Sequence, residues 1–429
     1  MKPKSEEFRS ALSNIRERIA TAKRYGTNRG FIDYRGCVFV CNELTAILED
    51  AEKSIKAGHY AFTYSVAALV LINCAKLASF ADDSAGGVTD TCEHVKMVLD
   101  NTCSAALSNS EEAEYIFTQA LKDAQNKALE GWDEFAYYLL VPTAQLATQH
   151  NVQKLYMVLD AFNARLALQE YCAWHLEYDS LVRLAAKKAV ENEDVVQQFI
   201  EANTKYDSIR KIAIRNALDK KQFALAETLC IDKIDHIKQK NQIYFWAKEW
   251  YELLFEVYTQ SDNRLGQIEL ARDLLVAKQD TKYYPILKNL LIEKGTWQSV
   301  YPALLLDISK KLPSHLYMEI LSKEQELDIL LEQVKSDPGQ IFAYGKQLSV
   351  KFPQETYALC LDQIRMEAVE ANTRPKYTTV CNKIKKLFEF KGVAEAQSII
   401  TELKAKYPRR PAMVEELNTI LKRLGIKGA

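Results

Sequence analysis

The residues best suited to chemistry in this chain are thiols and carboxylates. Cys37 and Cys41 are four apart, one helical turn, so both thiols share a face. With Cys74, Cys92, His94 and Cys103 they supply the soft ligand types that zinc takes. The Cys-x2-Cys knuckle is absent, however, and these positions also fit apolar helical stripes, so the thiols are expected to be reduced core residues and no metal is assigned. A second group, Glu170, Cys172, His175, Glu177 and Asp179, lies in one stretch. Glu170 and His175 diverge by about 140° on a helix, which prevents a shared ligand set. The most specific spacing is in Asp82–Glu93. Asp82, Ser84, Asp90 and Glu93 fall at positions 1, 3, 9 and 12 of a twelve-residue calcium-loop pattern, with Gly87 at position 6. Gly86 occupies position 5, where an oxygen ligand belongs, so calcium would be held weakly. The alternative reading makes Asp90 an N-cap and Glu93 its capping-box partner.

Other motifs are absent. The chain has no Gly-x-Gly-x-x-Gly, no Gly-Lys-Ser/Thr loop, no Gly-x-Ser-x-Gly and no His-Glu-x-x-His. Only 14 glycines and 10 prolines occur in 429 residues, which speaks against glycine-rich phosphate cradles and all-β folds. No cofactor and no catalytic residue is assigned.

Charge is uneven. Residues 1–30 carry eight basic and three acidic side chains, and residues 365–429 carry fourteen and seven. Net charge is −1, so the middle of the chain is acidic. In the C-terminal part, Lys383, Lys385, Lys386, Lys404, Lys406, Arg409 and Arg410 stand among Tyr377, Phe388, Phe390 and Tyr407. Such a pattern suits nucleic acid, but Ile384, Leu387 and Phe388 form a core stripe behind the lysines, so a solvated basic face is the expectation.

The elements that must position these residues carry the helical period almost throughout. Phe8, Leu12, Ile15, Ile19 and Ala22 share one face, as do Tyr34, Val38, Cys41, Leu44, Leu48, Ala51 and Ile55, with Gly58 closing that helix. Residues 60–81 are apolar nearly all round and need other helices about them. Cys74 lies there and is expected to be buried. The run Tyr60–Ala75 is short of the ~20 residues of a membrane span, so a buried helix is expected and no membrane partner. The N-terminus lacks the apolar core of a secretory signal, and the nine cysteines show no disulfide spacing, which together point to the cytoplasm. Pro142 should kink or split the helix around 135–146.

Beyond about residue 150 the chain reads as helical hairpins. Ala217-Leu218-Asp219-Lys220-Lys221-Gln222-Phe223, Leu291-Ile292-Glu293-Lys294-Gly295-Thr296-Trp297 and Phe388-Glu389-Phe390-Lys391-Gly392-Val393 share one cadence: helix end, polar turn, apolar opening residue. Opening residues near Phe223, Leu265, Trp297, Leu327, Glu355 and Val393 recur every roughly 28–42 residues, near the period of helix-pair repeats. The fold class expected is all-α: a right-handed α-solenoid of tetratricopeptide-like hairpins. Its divisions are an N-terminal bundle over 1–130, hairpin repeats over 131–377, and a basic capping repeat over 378–429. In the cap, Val380, Ile384, Leu387, Val393, Ala396, Ile400, Leu403, Leu417 and Leu421 should be buried, with the lysines in water.

Two stretches together resemble the helical region of bacterial proteins that carry a SWIM zinc finger. The first is Phe31-Ile32-Asp33-Tyr34-Arg35, then Ala57-Gly58-His59 and Asp82-Asp83-Ser84-Ala85-Gly86-Gly87. The second is Arg374-Pro375-Lys376-Tyr377 with Leu403-Lys404-Ala405-Lys406-Tyr407-Pro408-Arg409-Arg410-Pro411. The resemblance is sharpest over the last 55 residues and implies a tetratricopeptide-like fold. This chain has no Cys-x-Cys, which the finger needs, so the resemblance implies neither zinc nor nucleic-acid binding. The function expected is a non-enzymatic scaffold that holds a protein or peptide in a solenoid groove, because stacked hairpins expose long grooves. Nucleic-acid association through the basic C-terminal helices is the alternative.

Overall fold

A computed structural model of the protein describes residues 3–168, 174–240 and 244–423. Helix accounts for 81 % of it, and the chain is all-α. Among the described residues, strand is confined to one antiparallel hairpin, Thr27–Asn28 with Phe31–Ile32. The chain divides into two compact units, Met1–Val257 and Tyr258–Ala429.

The first unit begins α1 (Glu6–Gly26), α2 (Tyr34–Glu52), α3 (Tyr60–Phe80), α4 (Gly87–Ala106), α5 (Ser110–Asp123) and α6 (Glu134–Thr143). It continues α7 (Val152–Leu166), α8 (Trp174–Val190), α9 (Glu193–Ala202), α10 (Asp207–Asp219) and α11 (Phe223–Gln239). Helix α12 (Tyr244–Gln260) contains the division between the units. The organising element is α3. It has apolar residues on every side, and α1, α2, α4, α5 and α6 all pack against it. Tyr64, Val66, Leu71, Cys74, Ala75 and Leu77 are fully buried. Its N-terminus gets no cap from His59. The buried Glu112 of α5 supplies one instead, accepting the Ala61 N–H at 2.6 Å, with its charge at the positive end of the helix dipole. Helices α1 and α2 cross at two glycines: a Cβ on Gly36 would lie 2.1 Å from the Gly26 carbonyl oxygen, so only hydrogen fits.

One core runs from Phe8 to Ala186. Gly131, at φ +88°, is an exposed turn, and the boundary expected at residue 130 falls within the stretch that this core spans. Pro142 splits its helix as expected. Regular α-helix stops at Thr143, and a 3-10 turn, Ala144–Leu146, follows. Two local readings change. Helix α2 ends at Glu52, so Gly58 (φ +76°) closes the turn after it, and Tyr34 of its proposed stripe is half exposed.

The second unit contains α13 (Arg264–Val276), α14 (Tyr283–Glu293), α15 (Trp297–Lys311), α16 (Ser314–Glu324) and α17 (Leu327–Ser336). After them come α18 (Ile341–Lys351), α19 (Pro353–Glu370), α20 (Arg374–Glu389), α21 (Val393–Lys406) and α22 (Pro411–Arg423). Each packs against the next, and several against the next but one, which is the nearest-neighbour pattern of repeat proteins. The proposed boundary at 377/378 falls inside α20. Val380, Ile384, Leu387, Ala396, Ile400, Leu403 and Leu417 are buried as expected, but Val393 is 41 % exposed and Ile420 is buried where Leu421 was expected.

The shared cadence of the hairpins is a shared turn. After α10 the Lys221 N–H donates to the Leu218 carbonyl (2.9 Å) and the Gln222 N–H to Ala217 (2.7 Å). Gly295 and Thr296 bond Ile292 and Leu291 in the same way, and Lys391 and Gly392 bond Phe388 and Leu387. Asp262 with Asn263 and Gln325 with Glu326 repeat the pattern. These are Schellman caps, which satisfy the orphan carbonyls of a helix end. They require a left-handed residue, found here at Lys221 (φ +57°), Asp262 (+53°), Gly295 (+73°), Gln325 (+60°) and Lys391 (+72°). The helix that follows begins with Phe223, Arg264, Trp297, Leu327 or Val393.

Lys391 and Gln325 are exposed and carry left-handed strain; Gln325 adds one exposed bond, from Nε2 to the Ser322 carbonyl at 2.9 Å. Gln325→Gly and Lys391→Gly should stabilise the chain by up to about 1 kcal/mol each, and Gly295→Ala should cost about 1 kcal/mol. Urea unfolding midpoints, with unchanged slopes, measure this.

Candidate functional site

Three regions gather the residues singled out in the sequence, and a groove in the first unit adds a fourth. The groove, about 720 Å³, is walled by the end of α4, α5, the 3-10 turn after α6, and α8. Its size follows from short side chains. Ala113, Ala147, Ala185 and Ala189 stand where longer ones would close it. Val141 and Leu146 complete an apolar floor, and Leu107, 59 % exposed, stands at one edge. The broken helix keeps its backbone satisfied from side chains. Thr143 Oγ1 donates to the Leu139 carbonyl at 2.7 Å, Gln145 Nε2 to Pro142 at 2.9 Å, and Asn151 Oδ1 accepts the Thr148 N–H at 2.7 Å. Asn151 also donates to Glu114 Oε2 at 2.8 Å. Asp100, Glu114 and Lys188 place charges of both signs on the lining, and burial raises the Asp100 carboxyl above the ordinary carboxylate range. A volume of this size with an apolar floor and few polar groups is the form of a binding cleft. The sequence signal for it was Pro142 followed by small residues, read only as a kink.

The Asp82–Glu93 segment does not form a twelve-residue loop. Helix α4 starts at Gly87, so Asp82 and Ser84 lie in the turn before it, while Asp90 and Glu93 lie on the helix. Asp82 Oδ1 accepts the Ser84 N–H at 3.1 Å, and Glu93 pairs with Lys96 at 2.6 Å. The N-cap is Gly86, not Asp90, and Asp83 does the capping: its Oδ1 accepts the Val88 N–H at 3.0 Å. The same oxygen lies 3.8 Å from Cys37 Sγ.

All eight described cysteines are buried. Cys37 and Cys41 share a face of α2, as their spacing implied, and Cys74 lies in α3 as expected. Desolvation, with Cys37 and Asp83 nearby, pushes the Cys41 thiol up to about 12; burial likewise raises Cys230, Cys360 and Cys381 to about 12. His94 is turned away to Glu52, at 3.4 Å. Of the second sequence cluster, Glu170 and Cys172 lie outside the described residues. Glu177 Oε1 accepts the Ser208 hydroxyl at 2.6 Å and its N–H at 2.5 Å, so it caps α10. Asp179 holds Asn163 (3.0 Å) and Arg183 (2.7 Å), and His175 is buried beside Trp174.

The basic residues of the C-terminal helices divide into two groups. Lys383, expected in water, is partly buried. It pairs with Glu367 and lies over the Phe342 ring at 5.0 Å. Lys386 donates to the Phe342 carbonyl at 3.4 Å. Arg410 stacks on Tyr407 at 4.3 Å and donates to the Ala368 and Ala371 carbonyls, both at 2.8 Å. It thereby closes the C-terminal end of α19, where a cation complements the dipole. Lys385, Lys404, Lys406 and Arg409 remain on the surface side, with Lys385 3.7 Å from Glu389 and Lys406 5.7 Å from the Tyr407 ring.

No family model, no curated protein and no solved structure matches the chain.

Arg410→Ala should destabilise the protein by about 1–2 kcal/mol, because two helix-end carbonyls lose a charged donor. Lys385→Gln and Arg409→Gln should stay within about 0.5 kcal/mol. Chemical denaturation of the three variants measures the contrast, and equal effects would mean that Arg410 has no capping role.

Proposed function

We propose that the protein is a non-enzymatic interaction scaffold and that the groove of the first unit receives a segment of a protein or peptide partner. The observation that carries this is the groove itself: about 720 Å³, with an apolar floor and a rim holding Asp100, Glu114 and Lys188. An amphipathic segment buries apolar anchors in such a groove and matches the rim charges with its own polar residues. The tetratricopeptide-like, right-handed solenoid expected from the sequence belongs to the same proposal, as does its resemblance to the helical region of SWIM-finger proteins. The cytoplasm is the proposed compartment, in keeping with eight buried, unpaired thiols. Among the described residues, the one helix long and apolar enough to cross a membrane, α3, is mostly buried among its neighbours.

Nucleic-acid association through the C-terminal helices is the weaker reading. Lys383 and Arg410 are engaged within the fold, so part of the basic patch read from the sequence is not free to release counterions.

The test uses Ala189→Trp and Leu107→Glu, both at exposed groove positions. A discrete protein retained from native extract by the wild-type chain should be lost at least ~10-fold from either variant, a change of about 1.4 kcal/mol. Binding to nucleic acid should disappear by about 150 mM salt. Unchanged retention by both groove variants contradicts the proposal. Salt-resistant nucleic-acid binding would put the alternative first.

A further inference from the structure

Two segments far apart in sequence meet at one point of the first unit. Cys37 and Cys41 come from successive turns of α2, and Asp83 comes from the turn before α4. One thiol sulfur from each cysteine and one carboxylate oxygen all lie within 4.8 Å of one another. Among the described residues, no other three cysteine, histidine or carboxylate groups come together this way.

The turn that brings Asp83 in is fixed from both sides. The Asp82 N–H donates to the Ile32 carbonyl at 2.9 Å, tying the turn to the β-hairpin. Asp83 Oδ1 accepts the Val88 N–H at 3.0 Å, tying it to α4. Gly87 allows the close approach. A Cβ there would sit 3.2 Å from Cys41 Cβ, 3.3 Å from Cys41 Sγ and 3.7 Å from Asp83 Oδ1, so a side chain would crowd the cluster. Gly87 has no left-handed φ, and space is thus the reason for glycine at this position.

We infer that Cys37, Cys41 and Asp83 form a binding site for a soft divalent d10 cation of the zinc class. Two thiolates and a carboxylate are a zinc donor set, and three protein ligands leave a fourth position for water. One sulfur–oxygen distance matches such a site, and the other ligand atoms lie within 4.8 Å. Metal–sulfur and metal–oxygen bonds of roughly 2.3 and 2.1 Å in a tetrahedron put sulfur and oxygen roughly 3.6 Å apart; Cys37 Sγ and Asp83 Oδ1 are 3.8 Å apart. The Cys37 S–H now points its proton at the carboxylate, and the metal takes the place of that proton. On binding, both S–H bonds break and their protons leave to solvent, the aqua ion loses waters as two metal–sulfur bonds and one metal–oxygen bond form, and no oxidation state changes. The Cys37-x3-Cys41 spacing supplied two of these ligands in the sequence. The third was passed over, because Asp82 and not Asp83 fitted the calcium pattern.

The experiment loads the reduced full-length chain with cadmium, a spectroscopic stand-in for zinc, removes the excess by gel filtration, and measures metal content and thiolate-to-cadmium charge-transfer absorption. A parallel sample receives zinc. The site predicts close to one metal per chain, the absorption band, and a raised melting temperature. Cys41→Ser should abolish the band. Asp83→Asn should weaken retention at least ~10-fold while keeping an oxygen that caps α4. Cys103→Ala, a buried thiol outside the cluster, should bind as the wild type does. Circular dichroism reports whether each variant folds, and Asp83→Asn decides the matter if Cys41→Ser does not. Metal far below one per chain, or a band that persists in Asp83→Asn with wild-type retention, overturns the assignment.

Discussion

A helix with no polar face has to be enclosed, and the first unit is organised around that requirement. Helix α3 has five helical neighbours, and the side chains it turns to them are buried. Burial at about 25 cal/mol per Å² is the only large favourable term available to such a segment, so its neighbours are held in place by the area they cover. The secondary features follow from this packing. Glu112 reaches in because the N-cap of α3, His59, makes no side-chain cap bond, and a helix end packed into the fold cannot leave its N–H groups to water. Helix α2 lies against α3 with its thiols inward, and α4 lies against both, which brings the Asp82–Gly86 turn onto Cys37 and Cys41.

The second unit depends on repetition instead of one central element. Its helices pack on their nearest neighbours, and left-handed turns with one hydrogen-bond pattern recur at Asp262, Gly295, Gln325 and Lys391. The two arrangements differ in what they leave open at the surface. In the first unit, a proline ends a helix in the middle of the core, small side chains fail to fill the space, and a groove results. In the second, charges that look available in sequence are drawn into the fold: Arg410 closes a helix end and Lys383 pairs with Glu367.

Much of this was legible in the sequence where the physics is local. The 3.6-residue period gave the helices, the apolar surround of residues 60–81 gave the central one, and the polar-turn-then-apolar cadence marked turns that proved to be Schellman caps. Features resting on long-range contact or on rare backbone angles were not legible. The Thr27–Ile32 hairpin turns through Arg29 (φ +50°) and Gly30 (φ +85°), and Arg-Gly is not the Asn-Gly signal that such a turn usually carries. Asp83 and Cys37 are 46 residues apart, and Arg410 and Ala368 are 42 apart. Nothing in either local pattern states that they meet. The calcium spacing misled for a related reason: it assumed an extended loop where helix formation from Gly87 was already favoured.

The account stands on the groove being the surface that a partner occupies. A photo-cross-linking amino acid placed at Ala189, with a control at Met157, which is 66 % exposed on α7, tests this in the native cell. The account predicts a discrete protein adduct from position 189 and none from 157. The same adducts from both positions, or nucleic acid and no protein at 189, would contradict it.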